Sequence, residues 1–302
     1  MAAQAVPVYY SAAYAGAAFA FETTRKAQWV AQSLHDDPIA GLELRMPQPL
    51  TWEQMAQVHT RAYVQAVRTG EPRALAESQS LDWDPCLGPM VLATNGGAVA
   101  AALDALRHRA VAGSLSSGLH HARGGGGLGY CTFNGLVLAA RAALEAGART
   151  VLILDLDAHC GGGTAELVAH EPRIWQLDVS VDDFDHYTGT PQLRLHMVSD
   201  SSRYLSTVRA GLQAMLHDAP RFDLCLYNAG MDPHQDSGDG ALAGIDATVL
   251  QEREAMVFDW CRANAIPVAF VLAGGYVSER LDQQALVALH RLTLTAAAGL
   301  RA

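Results

Sequence analysis

Thr150-Val151-Leu152-Ile153-Leu154 runs without a break into Asp155-Leu156-Asp157-Ala158-His159. A short run rich in Val, Leu and Ile that stops abruptly at acidic residues reads as a strand buried on both faces. Two later stretches repeat the pattern. Asp223-Leu224-Cys225-Leu226-Tyr227 leads into Asn228-Ala229-Gly230-Met231-Asp232-Pro233-His234-Gln235-Asp236, and Pro267-Val268-Ala269-Phe270-Val271-Leu272 leads into Ala273-Gly274-Gly275-Tyr276. A helical stretch precedes each run, as in repeated βα units, so an α/β fold with a central parallel sheet flanked by helices is expected. Ligands of open parallel sheets bind beyond the carboxyl ends of the strands. Three strand ends carrying Asp, His, Gly and Tyr therefore predict one shared site.

Working outward, Thr51-Trp52-Glu53-Gln54 fits a capping box and predicts a helix towards Val67, with Met55, Val58, Ala62 and Ala66 on one face. Further helices are expected over Gly97–Ala112 and Leu136–Ala146, the second stopped by Gly147. No linker, repeat or long charge run divides the chain, so residues 1–302 are expected to form one domain.

Half of the 302 residues are hydrophobic, enough for a large core, and the net charge is −10. Nucleic-acid binding needs clustered Lys and Arg, so that partner is not expected; an acidic field favours cationic ligands such as lysine-bearing peptides or polyamines. The five cysteines are scattered and lack a CxxC pair, which argues against a disulfide framework or zinc ribbon. Cys225 and Cys261 are expected in the core. Met1 to Tyr10 lacks a basic signal-peptide start, and Ala12–Phe21 is too short to span a bilayer. A cytoplasmic protein without membrane attachment is the expectation.

Asp157 and His159, two residues apart in extended backbone, project to the same side. Carboxylate and imidazole suit zinc, and a catalytic zinc needs one more protein ligand. The competing reading has Asp157 capping the next helix and His159 packing. His120-His121 stands before four consecutive glycines, Gly124 to Gly127. Two adjacent imidazoles can present an acid and a base to a substrate, or can simply be solvated in a loop.

His120-His121-Ala122, Gly129-Tyr130-Cys131-Thr132-Phe133-Asn134, Asp155-Leu156-Asp157-Ala158-His159, Asn228-Ala229-Gly230-Met231-Asp232 and Ala273-Gly274-Gly275-Tyr276 occur in this order. The sequence resembles the histone deacetylase family, nearest to its class IV and bacterial branches. The resemblance implies a single-domain arginase/deacetylase fold with Zn2+ at the carboxyl edge of the sheet. It implies that Asp157 and His159 bind the metal and that His121 is the general base. His120, paired with Asp155, would be its electrostatic and proton partner. Tyr276 would stabilise the oxyanion, and Gly274-Gly275 would let backbone approach the substrate. Tyr130 and Tyr187 would wall a channel for an acyl-lysine stem, although either could be an ordinary half-buried aromatic. A K+ site from Asp155, the carbonyls of Asp157 and His159, and Ser180 is also implied.

The sequence departs from the family at four places. Ser116-Ser117-Gly118-Leu119 replaces Arg-Pro-Pro-Gly ahead of the histidine pair, so the acetate-side pocket is expected to differ. The third metal ligand is expected five residues beyond Asp232, where Ser237 stands; Asp236 is taken instead, with Asp239 and then His234 as alternatives. Gly162 occupies the position of the Asn or Asp that orients the second histidine, which predicts a loosely held His121 and a gain from Gly162→Asn. Gly161 stands where arginase relatives carry a further metal-binding Asp, which disfavours a two-metal site. Three functions follow: a zinc-dependent acyl-lysine deacylase, an acetylpolyamine or other small-amide deacylase, and a low-turnover zinc-containing acyl-lysine binding module. Tyr276 and His121 favour an enzyme, since a binder needs neither.

Overall fold

The computed structural model describes residues 5–17 and 22–299. The remaining parts of the N-terminal stretches considered above lie outside the described residues. Eight strands form one sheet: β1 (Val6–Tyr9), β2 (Leu42–Arg45), β3 (Val111–Ser114), β4 (Val151–Asp155), β5 (Ile174–Ser180), β6 (Leu193–Met197), β7 (Leu224–Asn228) and β8 (Val268–Val271). Their order is β2-β1-β3-β8-β7-β4-β5-β6 and every pairing is parallel. The three strands read from the sequence are thus neighbours at the centre. All residues of β4, β7 and β8 are buried, because helices cover both faces.

The capping box at Thr51 forms, but the expected long helix is broken into Trp52–Met55 and Arg61–Thr69. The break has a tertiary cause at His59. Its Nδ1 lies 2.8 Å from the Arg123 carbonyl, and its Nε2 accepts the Asn134 amide at 3.0 Å, so the ring staples this corner to the loop after the histidine pair. The helix expected from Gly97 starts ten residues earlier, as Leu87–His108, and the end of that forecast becomes β3. This helix is long and apolar enough to cross a membrane, but more than half of its most apolar stretch is buried against the rest of the chain. The helix after Asn134 spans Gly135–Glu145, close to expectation, and Cys225 and Cys261 are buried.

Burial holds the His59 imidazole down at about 4, against the pull of its bond to the Arg123 carbonyl, from an ordinary value of 6.5. The neutral ring therefore contributes stability that is complete above about 6.5 and is lost as pH falls through about 4. His59→Gln is expected to flatten the wild-type decline of urea midpoint across that window, by a few kcal/mol at most. Parallel midpoint curves for the two proteins would remove His59 as the cause.

Candidate active site

Five adjacent strands, β3, β8, β7, β4 and β5, deliver their following loops to one end of the sheet. The segment after β3 brings Ser116 to His121, β4 brings Asp155, Asp157 and His159, and β7 brings Asn228 and Asp232. The segment after β8 brings Gly274 and Tyr276, while β5 leads to Phe184 and Asp185. A narrow cavity is lined by Thr23, His120, His121, Asp157, Gly274 and Tyr276, among others. It adjoins a second that Tyr130 lines. Ser117, Gly118 and Leu119 border both, so the segment that departs from the family forms part of the partition. Ser117 Oγ fixes it by donating to the Ala273 carbonyl at 2.8 Å.

Asp157, His159 and Asp232 place one ligand atom each within 4.8 Å of one another, all buried. His159 Nδ1 stands 3.0 Å from Asp157 Oδ1 and 3.2 Å from Asp232 Oδ2. Asp232 Oδ1 accepts the Ala158 amide at 3.0 Å, while its Oδ2 has no hydrogen bond of adequate geometry. Burial and the Asp157 charge push the Asp232 carboxyl up to about 7. Burial alone would raise Asp157 too, but the charges of His120 and His159 hold it well below the ordinary carboxylate range. Two buried carboxylates converge on one imidazole nitrogen, a donor set that a divalent cation can take in place of the shared proton. Gly274 makes the packing possible: a Cβ there would lie 1.9 Å from Asp232 Oδ2, and its amide donates to Asp157 Oδ2 at 2.7 Å.

The expected third ligand is corrected by this geometry. The Asp236 carboxylate faces outward and pairs with Arg280 Nε at 3.0 Å. Asp232, used in the sequence only as the origin for counting, fills its place among the buried ligand atoms. Asp239 comes next, with Oδ1 3.7 Å from His159 Nε2 on the open side. His234 is turned to its own loop, its Nδ1 accepting the Asp236 amide at 3.2 Å.

The two histidines lie with ring centroids 3.9 Å apart but in opposite electrostatic settings. His120 Nδ1 is 2.9 Å from Asp155 Oδ2. Burial would lower its pKa, yet Asp155 and Asp157 outweigh that and raise it to about 10. Asp155 Oδ1 meanwhile accepts the Asn228 side-chain amide at 2.8 Å and the Asp157 backbone amide at 3.1 Å. His121 is lowered to about 4 by burial and by charged His120. The surroundings thus favour the imidazolium form of His120 and the free base of His121.

His121 is not left loose by Gly162. Asp185 Oδ2 sits 2.9 Å from its Nδ1, with the carboxylate buried. A Cβ on Gly162 would fall 2.2 Å from the Asp185 carbonyl oxygen and 2.5 Å from its Oδ1, which overturns the expected benefit of Gly162→Asn. Gly162→Ala is expected to destabilise the fold by about 1–3 kcal/mol, as overpacking does, and to lower the urea midpoint. An unchanged midpoint would mean that the Asp185 loop yields without strain.

At the mouth, Phe184 is exposed and sets its ring edge against His121 at 5.0 Å and His159 at 6.1 Å. Tyr187, expected as a channel wall, turns its hydroxyl away to donate to the Arg194 carbonyl at 3.1 Å. Tyr130, at φ 60°, lines the second cavity and lies beside Gly129, which lines the first. Of the residues anticipated around a monovalent cation, Ser180 Oγ donates to the His159 carbonyl at 3.3 Å. Asp178, absent from that expectation, is buried beside them; burial and the Asp155 charge raise its carboxyl well above the usual range.

A profile of the histone deacetylase domain matches residues 20–292. An uncharacterised protein of Picosynechococcus is 32% identical over 269 residues, covering 87% of this chain and 88% of its own length. Acetylpolyamine amidohydrolase 1 of Pseudomonas aeruginosa is 26% identical over 55% of this chain and 51% of its own. The crystal structure of the HDA15 HD domain superposes with a TM-score of 0.81 at 19% identity, covering 98% of this chain and 90% of that one, and shows the same fold. With a profile that spans nearly the whole chain, the chain belongs to the histone deacetylase family, a family of hydrolases.

Proposed function

We propose that this protein is a zinc-dependent deacylase that hydrolyses the amide of an acylated lysine or a small acylated amine. One observation carries the reading: two imidazoles, His120 bonded to Asp155 and His121 bonded to Asp185, stand side by side next to a buried Asp-His-Asp cluster. Asp157, His159 and Asp232 would hold the metal, with Asp239 at its open side. Zinc bound there supplies Lewis acidity to the scissile carbonyl and to the attacking water.

The remaining chemistry is carried by side chains. His121 Nδ1 is engaged by Asp185, which leaves Nε2 to take a proton from the water. His120, kept charged by Asp155, stabilises developing negative charge and stands ready to protonate the departing amine. The Tyr276 hydroxyl donates to the oxyanion. Phe184 and Gly129 flank the acyl-bearing stem. Under the same reading, K+ would occupy the site formed by Asp155, the carbonyls of Asp157 and His159, and Ser180, with Asp178 buried beside it. Exposed Asp183 and Asp239 near the mouth favour a substrate whose remainder is cationic, acyl-lysine peptide or acylpolyamine alike. Asp185 beside His121, and Asp232 beside Asp157 and His159, support an enzyme over a binding module, which needs neither arrangement.

The test is metal analysis of purified protein combined with turnover of fluorogenic acyl-lysine peptides and acetylpolyamines. About one zinc per chain with chelator-sensitive turnover is expected. Zinc-loaded protein that binds these ligands without hydrolysing them would sink the enzyme reading.

A further inference from the structure

His121 draws its orienting carboxylate from a part of the chain where the sequence shows no reason to look. Asp185 lies in the loop after β5, at φ 59°, a left-handed conformation that Asp tolerates better than most residues. Its side chain is 1% exposed. A carboxylate buried to that degree is costly unless paired and hydrogen-bonded, and this one is. Oδ2 meets His121 Nδ1 at 2.9 Å and accepts the Gly163 amide at 3.0 Å, while Oδ1 receives Arg123 Nη2. Arg123 is in turn held by Glu166, Nη1 to Oε2 at 2.6 Å. The space is cleared by Gly162, because any side chain there would strike the Asp185 backbone.

We infer that Asp185, clamped by Arg123, is the positioning residue for His121, and that Gly162 is the room it needs. The orienting group has moved from the start of the helix Gly162–Val168 to the loop after β5. A carboxylate on Nδ1 keeps the proton on that nitrogen and leaves Nε2 free for the cavity, the tautomer a base requires. The other charged groups facing His121 are His120, Asp157 and, with its ring 5.9 Å away, His159. None of them engages Nδ1. Arg123 is more than a surface cation, since it joins the loop before the glycine run to the loop after β5.

The kinetic consequence rests on the deacylase reading; the tautomer does not. In ¹⁵N-histidine-labelled protein, wild type should show a hydrogen-bonded Nδ1–H signal for His121, and Asp185→Asn should lose it. In turnover assays Asp185→Asn should lower kcat by about 10–100-fold, the scale for losing such a partner, with KM within about twofold. The acidic limb of the pH profile should move to lower pH, because a negative charge that raises the His121 pKa is gone. Loop distortion alone would leave that limb in place. Arg123→Met, at a half-exposed position, should act in the same direction with a smaller loss, and serves if Asp185→Asn does not fold. An unchanged His121 signal and an unmoved acidic limb in either folded variant would overturn the assignment. Absent turnover in zinc-loaded wild type would instead defeat the deacylase reading, while the nitrogen spectra still decide the role of Asp185.

Discussion

Tyr276→Phe is expected to keep the metal and the fold while kcat falls by about 10²–10³-fold, the scale for losing one oxyanion donor. The side chain stands beside Gly274 and Asp157 in the lining of the cavity, with its ring centroid 6.4 Å from that of His159. Burial, together with the charges of Asp157 and Asp232, raises its pKa well above the ordinary value, so the hydroxyl remains a proton-bearing donor across the working pH range. The buried Lys26 ammonium lies 5.5 Å over the ring and fixes its position from beneath. Removing the hydroxyl leaves that packing in place, so the loss should fall on kcat and not on zinc content. Steady-state kinetics with parallel metal analysis checks this. Wild-type turnover in the variant would show that another donor meets the oxyanion.

His159→Ala is expected to abolish both zinc binding and turnover. Its imidazole is the one nitrogen ligand of the cluster and lies between the two carboxylates, so its removal leaves Asp157 and Asp232 facing each other without a bridging group. Asp232→Asn should lose zinc as well, and Asp239→Asn should weaken binding by about 10–100-fold. Asp236→Asn should bind normally, because that carboxylate answers to Arg280. Elemental analysis after dialysis separates these cases. Full zinc occupancy in His159→Ala, or its loss in Asp236→Asn, would place the metal elsewhere.

The centre of the fold and the floor of the site were legible because they are local. β4, β7 and β8 are buried on both faces, so their sequences are nearly pure apolar runs, and the polar residues that end each run are the ones the site uses. β1 and β2 are short, and β2 carries Glu43 and Arg45 at the sheet edge, so neither gives such a run. The first half of the helix Leu87–His108 was hidden by Gly96 and Gly97, poor helix formers by themselves. Their reason is tertiary: a Cβ at Gly97 would fall 1.6 Å from the Tyr14 hydroxyl, and one at Gly96 would fall 2.2 Å from the Gln48 carbonyl.

What the sequence by itself determined is therefore the parallel α/β plan and the gathering of Asp155, Asp157, His159, Gly274 and Tyr276 at strand ends. Strand periodicity and abrupt polarity changes encode these without reference to distant residues. Only the tertiary structure decided that the histidine pair lies beside those strand ends, that Asp232 and not Asp236 joins Asp157 and His159, that Phe184 and not Tyr187 stands beside His121 and His159, and that Asp185 meets His121 where Gly162 leaves room. Those choices depend on which way a loop side chain turns, and that is set by the partners it meets: Arg280 draws Asp236 outward, the Arg194 carbonyl draws Tyr187 away, and Arg123 with His121 draws Asp185 in. Spacing along the chain carries no record of contacts made by residues about sixty positions apart, such as His121 and Asp185.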